Sequence, residues 1–143
     1  MKGLTLIELV TTVGLMVLAA GIISAVYLRS VLPSTNLRAV RGNLAANLRY
    51  AAELATTTQI NHAVRFDPQN SRYELVRLTI PEVIIKSVTL PSQVTITSTT
   101  FPLNTVTFNV LGATAQAGSV DLRHNSNETM TVEVRPSGYV RTP

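Results

Sequence analysis

The sequence has no cysteine and no tryptophan, and it has only two lysines, Lys2 and Lys86, and two histidines, His62 and His124. Without cysteine there can be no disulfide framework, no thiolate metal site and no thiol nucleophile, and cysteine usage says nothing about redox compartment. Neither histidine stands at ligand spacing from the other or from a pair of carboxylates. Both are therefore expected as ordinary polar residues of strands or loops, and no metal site is expected. The chain also lacks a glycine-rich phosphate loop, a nucleophile elbow and an H-E-x-x-H pattern. These absences argue against an enzyme and imply no cofactor.

Charge is scarce in one place. Between Leu4 and Leu28 the only charged residue is Glu8, whereas residues 29–143 carry eleven Lys or Arg against seven Asp or Glu. The formal net charge of +4 thus averages two unlike parts, an apolar segment and a polar domain. The polar part is long enough to bury a core of its own and too short for two domains. It is rich in Thr beyond Thr56, which suits strands with outward hydroxyls.

The 20 residues from Leu9 to Leu28, LVTTVGLMVLAAGIISAVYL, carry no charge and meet the length required to cross a bilayer core. A cleaved secretory signal has an apolar region of only about 7–15 residues and ends at a small-residue site. Here the run is longer, ends at Tyr27-Leu28-Arg29, and leads into another helical pattern, so it is expected to be retained. Just before it stands MKGLTLIEL, with Glu8 between apolar residues. A buried carboxylate needs a partner. One source is a capping box, since Thr5-Leu6-Ile7-Glu8 matches S/T-x-x-E with Thr5 as the helix N-cap. The other is an α-amino group at Leu4, largely cationic at neutral pH, created if the chain is cut after Gly3.

MKG followed by LTLIELVTTVGLMVLAAG resembles the class III signal of type IV pilins and pseudopilins. That resemblance implies cleavage between Gly3 and Leu4 by a prepilin peptidase, N-methylation at Leu4, and a salt pair between Glu8 and the Leu4 amine of a neighbouring subunit during filament assembly. The family most often begins its mature chain with Phe, where this sequence has Leu4. Leu4 and Glu8 of one chain are also only about 6 Å apart along a helix, which leaves an internal pair open. Positive charge does not settle orientation, because Lys2 and the terminus lie on one side and Arg29, Arg38 and Arg41 on the other. The resemblance implies a cytoplasmic amino end, an anchor in the inner membrane and a translocated domain, later built into a pilus or pseudopilus.

After the membrane segment, Leu37, Val40, Leu44, Leu48, Ala51 and Ala55 recur at helical spacing and fall within an arc of about 80°. Arg38 and Arg49 flank this stripe and are expected to face solvent or filament neighbours. Pro33 is expected to kink the helix or end its membrane portion. Strands are expected at Ile60–Phe66, Tyr73–Leu78, Val83–Leu90, Val94–Thr99, Val106–Val110, Ser119–Arg123 and Thr129–Arg135, the first two joined by the turn Asp67-Pro68-Gln69-Asn70-Ser71. The expected fold is α+β: a long N-terminal helix, half transmembrane and half amphipathic, packed on an antiparallel β-rich domain. The corresponding divisions are 1–3 leader, 4–28 transmembrane and assembly helix, 29–58 amphipathic helix and 59–143 globular domain.

The helix LRAVRGNLAANLRYAAELA, the hairpin VRFDPQNSRYEL, and SVTLPSQVTIT, VTFNVLGATAQAGSVDL and VEVRPSGYVR narrow the resemblance to H-type pseudopilins of type II secretion and fimbrial T-type minor pilins (GspH/FimT). The resemblance implies a structural subunit whose partners are other pilin-type subunits, the prepilin peptidase/N-methyltransferase and the membrane. Some fimbrial T-type pilins capture DNA through a C-terminal Gly-Arg-x-Arg element. The matching stretch here is Gly138-Tyr139-Val140-Arg141, with Tyr139 in place of the first arginine. Arg123, Arg135, Tyr139 and Arg141 are thus the candidate DNA contacts of an alternative, DNA-uptake reading, with limited electrostatic pull from a domain of this charge. Asn127-Glu128-Thr129 is a formal glycosylation sequon that carries little weight beside a bacterial-type leader. Replacing Gly3 by Asp is expected to leave only the uncut precursor on a gel, and a mature-sized band would overturn the leader assignment.

Overall fold

The structure, a computed structural model, describes residues 5–30 and 32–143, with side chains described outside 24–34. Gly3 and Leu4 lie outside the described residues. The kink expected at Pro33 falls beside residue 31, which also lies outside them. The chain divides into two compact units, Met1–Thr35 and Asn36–Pro143.

The first unit is dominated by helix α1, Leu6–Ser30. Its stretch Leu6–Ile23 is long and apolar enough to cross a membrane, and none of it is buried within the protein. Two hydroxyls interrupt this surface, and both are turned back onto the helix. Thr11 Oγ1 donates to the Ile7 and Glu8 carbonyls at 3.0 Å each, and Thr12 Oγ1 reaches the Glu8 and Leu9 carbonyls at 2.9 Å. Such back-bonding satisfies a polar group where no water is present.

Helix α2, Leu32–Thr58, leads into the second unit. The strands are β1 His62–Asp67, β2 Arg72–Arg77, β3 Val83–Thr89, β4 Val94–Thr99, β5 Thr105–Phe108, β6 Gly118–His124, β7 Thr129–Val134 and β8 Val140–Arg141. They form two antiparallel four-stranded sheets, ordered β3-β2-β1-β5 and β4-β6-β7-β8. The fold is therefore α+β, as the sequence pattern implies. Each of the seven expected strands is present within two residues at either end. The early end of β5 has a local cause: Asn109 Oδ1 accepts the Leu111 and Ala113 backbone N–H groups at 2.9 and 3.0 Å, turning the chain out of the ladder. Strand β8 was not expected, because two residues show no period.

All six stripe residues of α2 are buried, with Leu37, Leu44 and Leu48 fully enclosed. Full burial of one such side chain contributes roughly 1.5–3 kcal/mol. They join a single cluster with Val64, Leu75, Val106 and Phe108 from one sheet and Val94, Ile96, Val120, Leu122, Val132 and Val140 from the other. His62 and His124 are also buried on the inner faces rather than merely lying in strands. His62 Nδ1 lies 2.8 Å from the Ile60 carbonyl, and His124 Nδ1 accepts the Ser126 N–H at 3.1 Å.

The two sheets meet at Phe101. This residue follows β4 of the second sheet, stacks on Phe66 of the first with ring centroids 6.1 Å apart, and rests on Gly118 of β6. A Cβ at Gly118 would stand 2.4 Å from the Phe101 ring. The ring occupies the space that any other residue at 118 would need. Gly118→Ala is therefore expected to destabilise the 29–143 domain by about 1–3 kcal/mol, read as a lower melting temperature. An unchanged melting temperature would contradict this packing.

Candidate functional site

Two regions carry the residues singled out from the sequence. The first is the start of α1. Thr5 precedes the helix, and its carbonyl accepts the Glu8 and Leu9 N–H groups at 3.0 and 3.1 Å. Glu8 turns its carboxylate back, so that Oε2 accepts from the Thr5 N–H and the Thr5 hydroxyl, each at 3.4 Å. The Thr5 hydroxyl is thus directed at the carboxylate rather than at the Glu8 amide. Both bonds are long, and Glu8 is exposed. A carboxylate here is favoured by the helix dipole, and its weak local bonds leave it able to exchange them for a cationic partner.

The second region is the outer face of the β4-β6-β7-β8 sheet. Register places Arg123 opposite Thr129, Asp121 opposite Thr131, and Glu133 opposite both Ser119 and Arg141. The Arg135 N–H donates to the Tyr139 carbonyl at 2.9 Å across the β7–β8 hairpin. Arg135, Tyr139 and Arg141 therefore share one end of the face, with Tyr139 60% exposed and Glu133 among them. Arg123 stands about 13 Å away along β7, with Asp121 between, and donates to Asn127 Oδ1 at 2.5 Å. The structure brings three of the four residues together and leaves the fourth apart.

The hairpin is fixed from behind. Gly138 has φ +79°, and a Cβ there would fall 1.8 Å from the Gly112 carbonyl oxygen, so the two loops touch through bare backbone. Thr114 N–H donates to the Pro136 carbonyl at 2.9 Å. From α2, Arg49 Nη2 donates to the Val140 carbonyl at 3.0 Å and Arg41 Nη1 to the Pro143 carbonyl at 2.7 Å. Sequence reasoning missed this role for Arg49, expected to face solvent or a neighbour, because the acceptor is a main-chain oxygen 91 residues away.

Elsewhere the polar groups serve the fold. The Asn70 side chain and backbone N–H, with Arg72, hold the Asp67 carboxyl below its ordinary value. Burial pushes the Tyr73 hydroxyl up, partly offset by the bond from Asn47 at 2.7 Å. A cleft of about 400 Å³ between β5 and residues 114–116 is lined by Phe101, Leu103, Val106 and Thr114, and its one charged residue, Arg65, is paired with Glu82 at 3.2 Å. No group of three or more His, Asp or Glu that could hold a metal occurs among the described residues.

The arrangement, a helix with an apolar stripe under two antiparallel sheets, is matched by a known family. The type II transport protein GspH family matches residues 42–138, more than half of the chain. The chain belongs to the GspH family. Among solved structures, the GspH-type fold is shared with the minor pseudopilin EpsH from the type 2 secretion system of Vibrio cholerae, at 15% identity and TM-score 0.65 over 76% of this chain and 96% of that one. It is shared equally with the type IV minor pilin FimU of Pseudomonas aeruginosa, at 12% identity and TM-score 0.65 over 77% and 90%. No protein of curated function matches the sequence. Within this fold, Arg49→Ala is expected to cost about 1–2 kcal/mol and to speed amide exchange in β7 and β8 while leaving β1 and β2 protected; uniform exchange across both sheets would contradict the clamp.

Proposed function

We propose that this GspH-type protein is a minor pseudopilin or minor pilin, a structural subunit of a type II secretion pseudopilus or type IV pilus. It is cut after Gly3 by prepilin peptidase and N-methylated at Leu4. The observation that carries this reading is α1: 18 consecutive residues, none buried within the protein, open on an ionisable Glu8 whose bonds to Thr5 are both 3.4 Å. An apolar surface of that length needs a bilayer or neighbouring helices as its surroundings. A loosely held carboxylate at its start can take the Leu4 amine of an adjacent subunit once both helices leave the bilayer. The amino end faces the cytoplasm and the domain is translocated, so the leader lies on the peptidase side. The 1–3, 4–28, 29–58 and 59–143 divisions remain the working map of leader, membrane helix, amphipathic helix and domain.

DNA capture in natural transformation has weaker support. Arg135, Tyr139 and Arg141 share a face, but Glu133 lies directly across from Arg141 and Asp121 separates the group from Arg123, which weakens attraction to a phosphate chain. Glu8→Ala is expected to leave cleavage intact while removing the protein from sheared filaments. Wild-type amounts of Glu8→Ala in the filament fraction would overturn the salt-pair role.

A further inference from the structure

Between α2 and the first sheet lies a groove of about 380 Å³, lined by Asn43, Ala46, Asn47, Tyr73, Lys86 and Val88. Lys86 stands opposite Leu75 in the β2–β3 ladder, so it shares the inner face with that core residue and reaches toward the helix. Its Nζ donates to Asn47 Oδ1 at 2.9 Å. That bond fixes which way the Asn47 amide faces, since an ammonium has donors only. The Asn47 Nδ2 then donates to the Tyr73 hydroxyl oxygen at 2.7 Å. Tyr73 is only 2% exposed. With its oxygen acting as an acceptor, its own O–H proton is not used in any hydrogen bond among the described residues. Burial, which pushes this hydroxyl up, keeps the proton in place. Lys86 likewise meets no carboxylate among the described residues. The groove thus presents an ammonium and a phenolic donor, with the exposed Asn43 beside them, and none of its lining residues is acidic.

From this donor set we infer that the groove is a carboxylate-binding site, filled in the filament by an Asp or Glu side chain of a neighbouring, more acidic pilin-type subunit. This inference rests on the filament reading above. A carboxylate offers two oxygens, one for a Lys86 N–H and one for the Tyr73 O–H, and its single charge matches the single ammonium. A phosphate dianion would outweigh that one cation. Charge also selects the subunit. Residues 29–143 carry eleven Lys or Arg against seven Asp or Glu, so a second copy of the chain meets net repulsion whereas an acidic partner is attracted. Asn47 is a positioning residue: it holds Lys86 and Tyr73 in place, so that little side-chain freedom remains to be lost on contact. An inward lysine also discourages a stray strand from pairing with β3, so attachment runs through side chains while the edge stays guarded.

The test uses the scarcity of lysine. Once the leader with Lys2 is removed, Lys86 is the only side-chain amine of the chain. Filaments sheared from cells that carry the full chain are treated with a carbodiimide, which couples an amine to a carboxylate in contact with it, and the adducts are mapped by peptide mass spectrometry. The expected result is an isopeptide bond from Lys86 to an Asp or Glu of another pilin-type subunit. Lys86→Arg keeps the charge but cannot couple, so it should lose the adduct and still incorporate within about twofold of wild type. Lys86→Gln should melt like wild type and fall by about fivefold or more in the filaments. Tyr73→Phe should lower the adduct yield per incorporated chain by about threefold. No Lys86 adduct in filaments that contain the chain, an adduct to a carboxylate of this same sequence, or wild-type incorporation of Lys86→Gln overturns the site alone. An unchanged yield with Tyr73→Phe overturns the hydroxyl's part in it. Absence of the wild-type chain from sheared filaments overturns the filament reading and this inference with it.

Discussion

One buried stripe holds the domain together. The two sheets share no ladder, and their main-chain link is an isolated bridge between Phe108 and Thr114 with the Thr114–Pro136 bond beyond it. What makes them one body is the row from Leu37 to Ala55 on α2, which lies in the same buried cluster as the inner faces of both. Everything outward of that row is free to vary in polarity. Hence the outer face of the second sheet carries hydroxyls and mixed charges.

That division also explains how far the sequence could be read. The stripe and the long strands were legible because burial imposes a period, 3.6 on α2 and 2 on the strands. The strand partition into two sheets was not legible, because register is set by partners distant in sequence. Nothing local to Gly118 signalled that the Phe101 ring needs its missing side chain. The same limit governs the candidate sites. Glu8 stood out as a lone charge in an apolar run. By contrast, Glu133 facing Arg141, and Arg123 lying apart from Arg135, are facts of cross-strand pairing that no local pattern carries. Arg49 is exposed, as its place beside the stripe implies, but its bond to a backbone oxygen 91 residues on left no local signal.

The chain solves two solvation problems with different means. Over Leu6–Ile23 of α1 the exposed side chains are apolar and the hydroxyls of Thr11 and Thr12 are spent on the helix's own carbonyls, so this stretch presents nothing that requires water except Glu8. In the second sheet, hydroxyls are instead used between strands: Ser98 and Thr131 both donate to the Asp121 carboxylate at 2.7 Å. Threonine thus bonds within its own helix in one setting and across strands in the other.

The clamp from Arg49 to Val140 has a consequence for the order in which the protein can fold. The helix is made before any strand, and its apolar stripe has no complete cover until the second sheet closes with β8, 91 residues after Arg49. Contacts this distant in sequence form late and slowly. During synthesis the stripe therefore gains the last part of its cover only when the C-terminal strand is added.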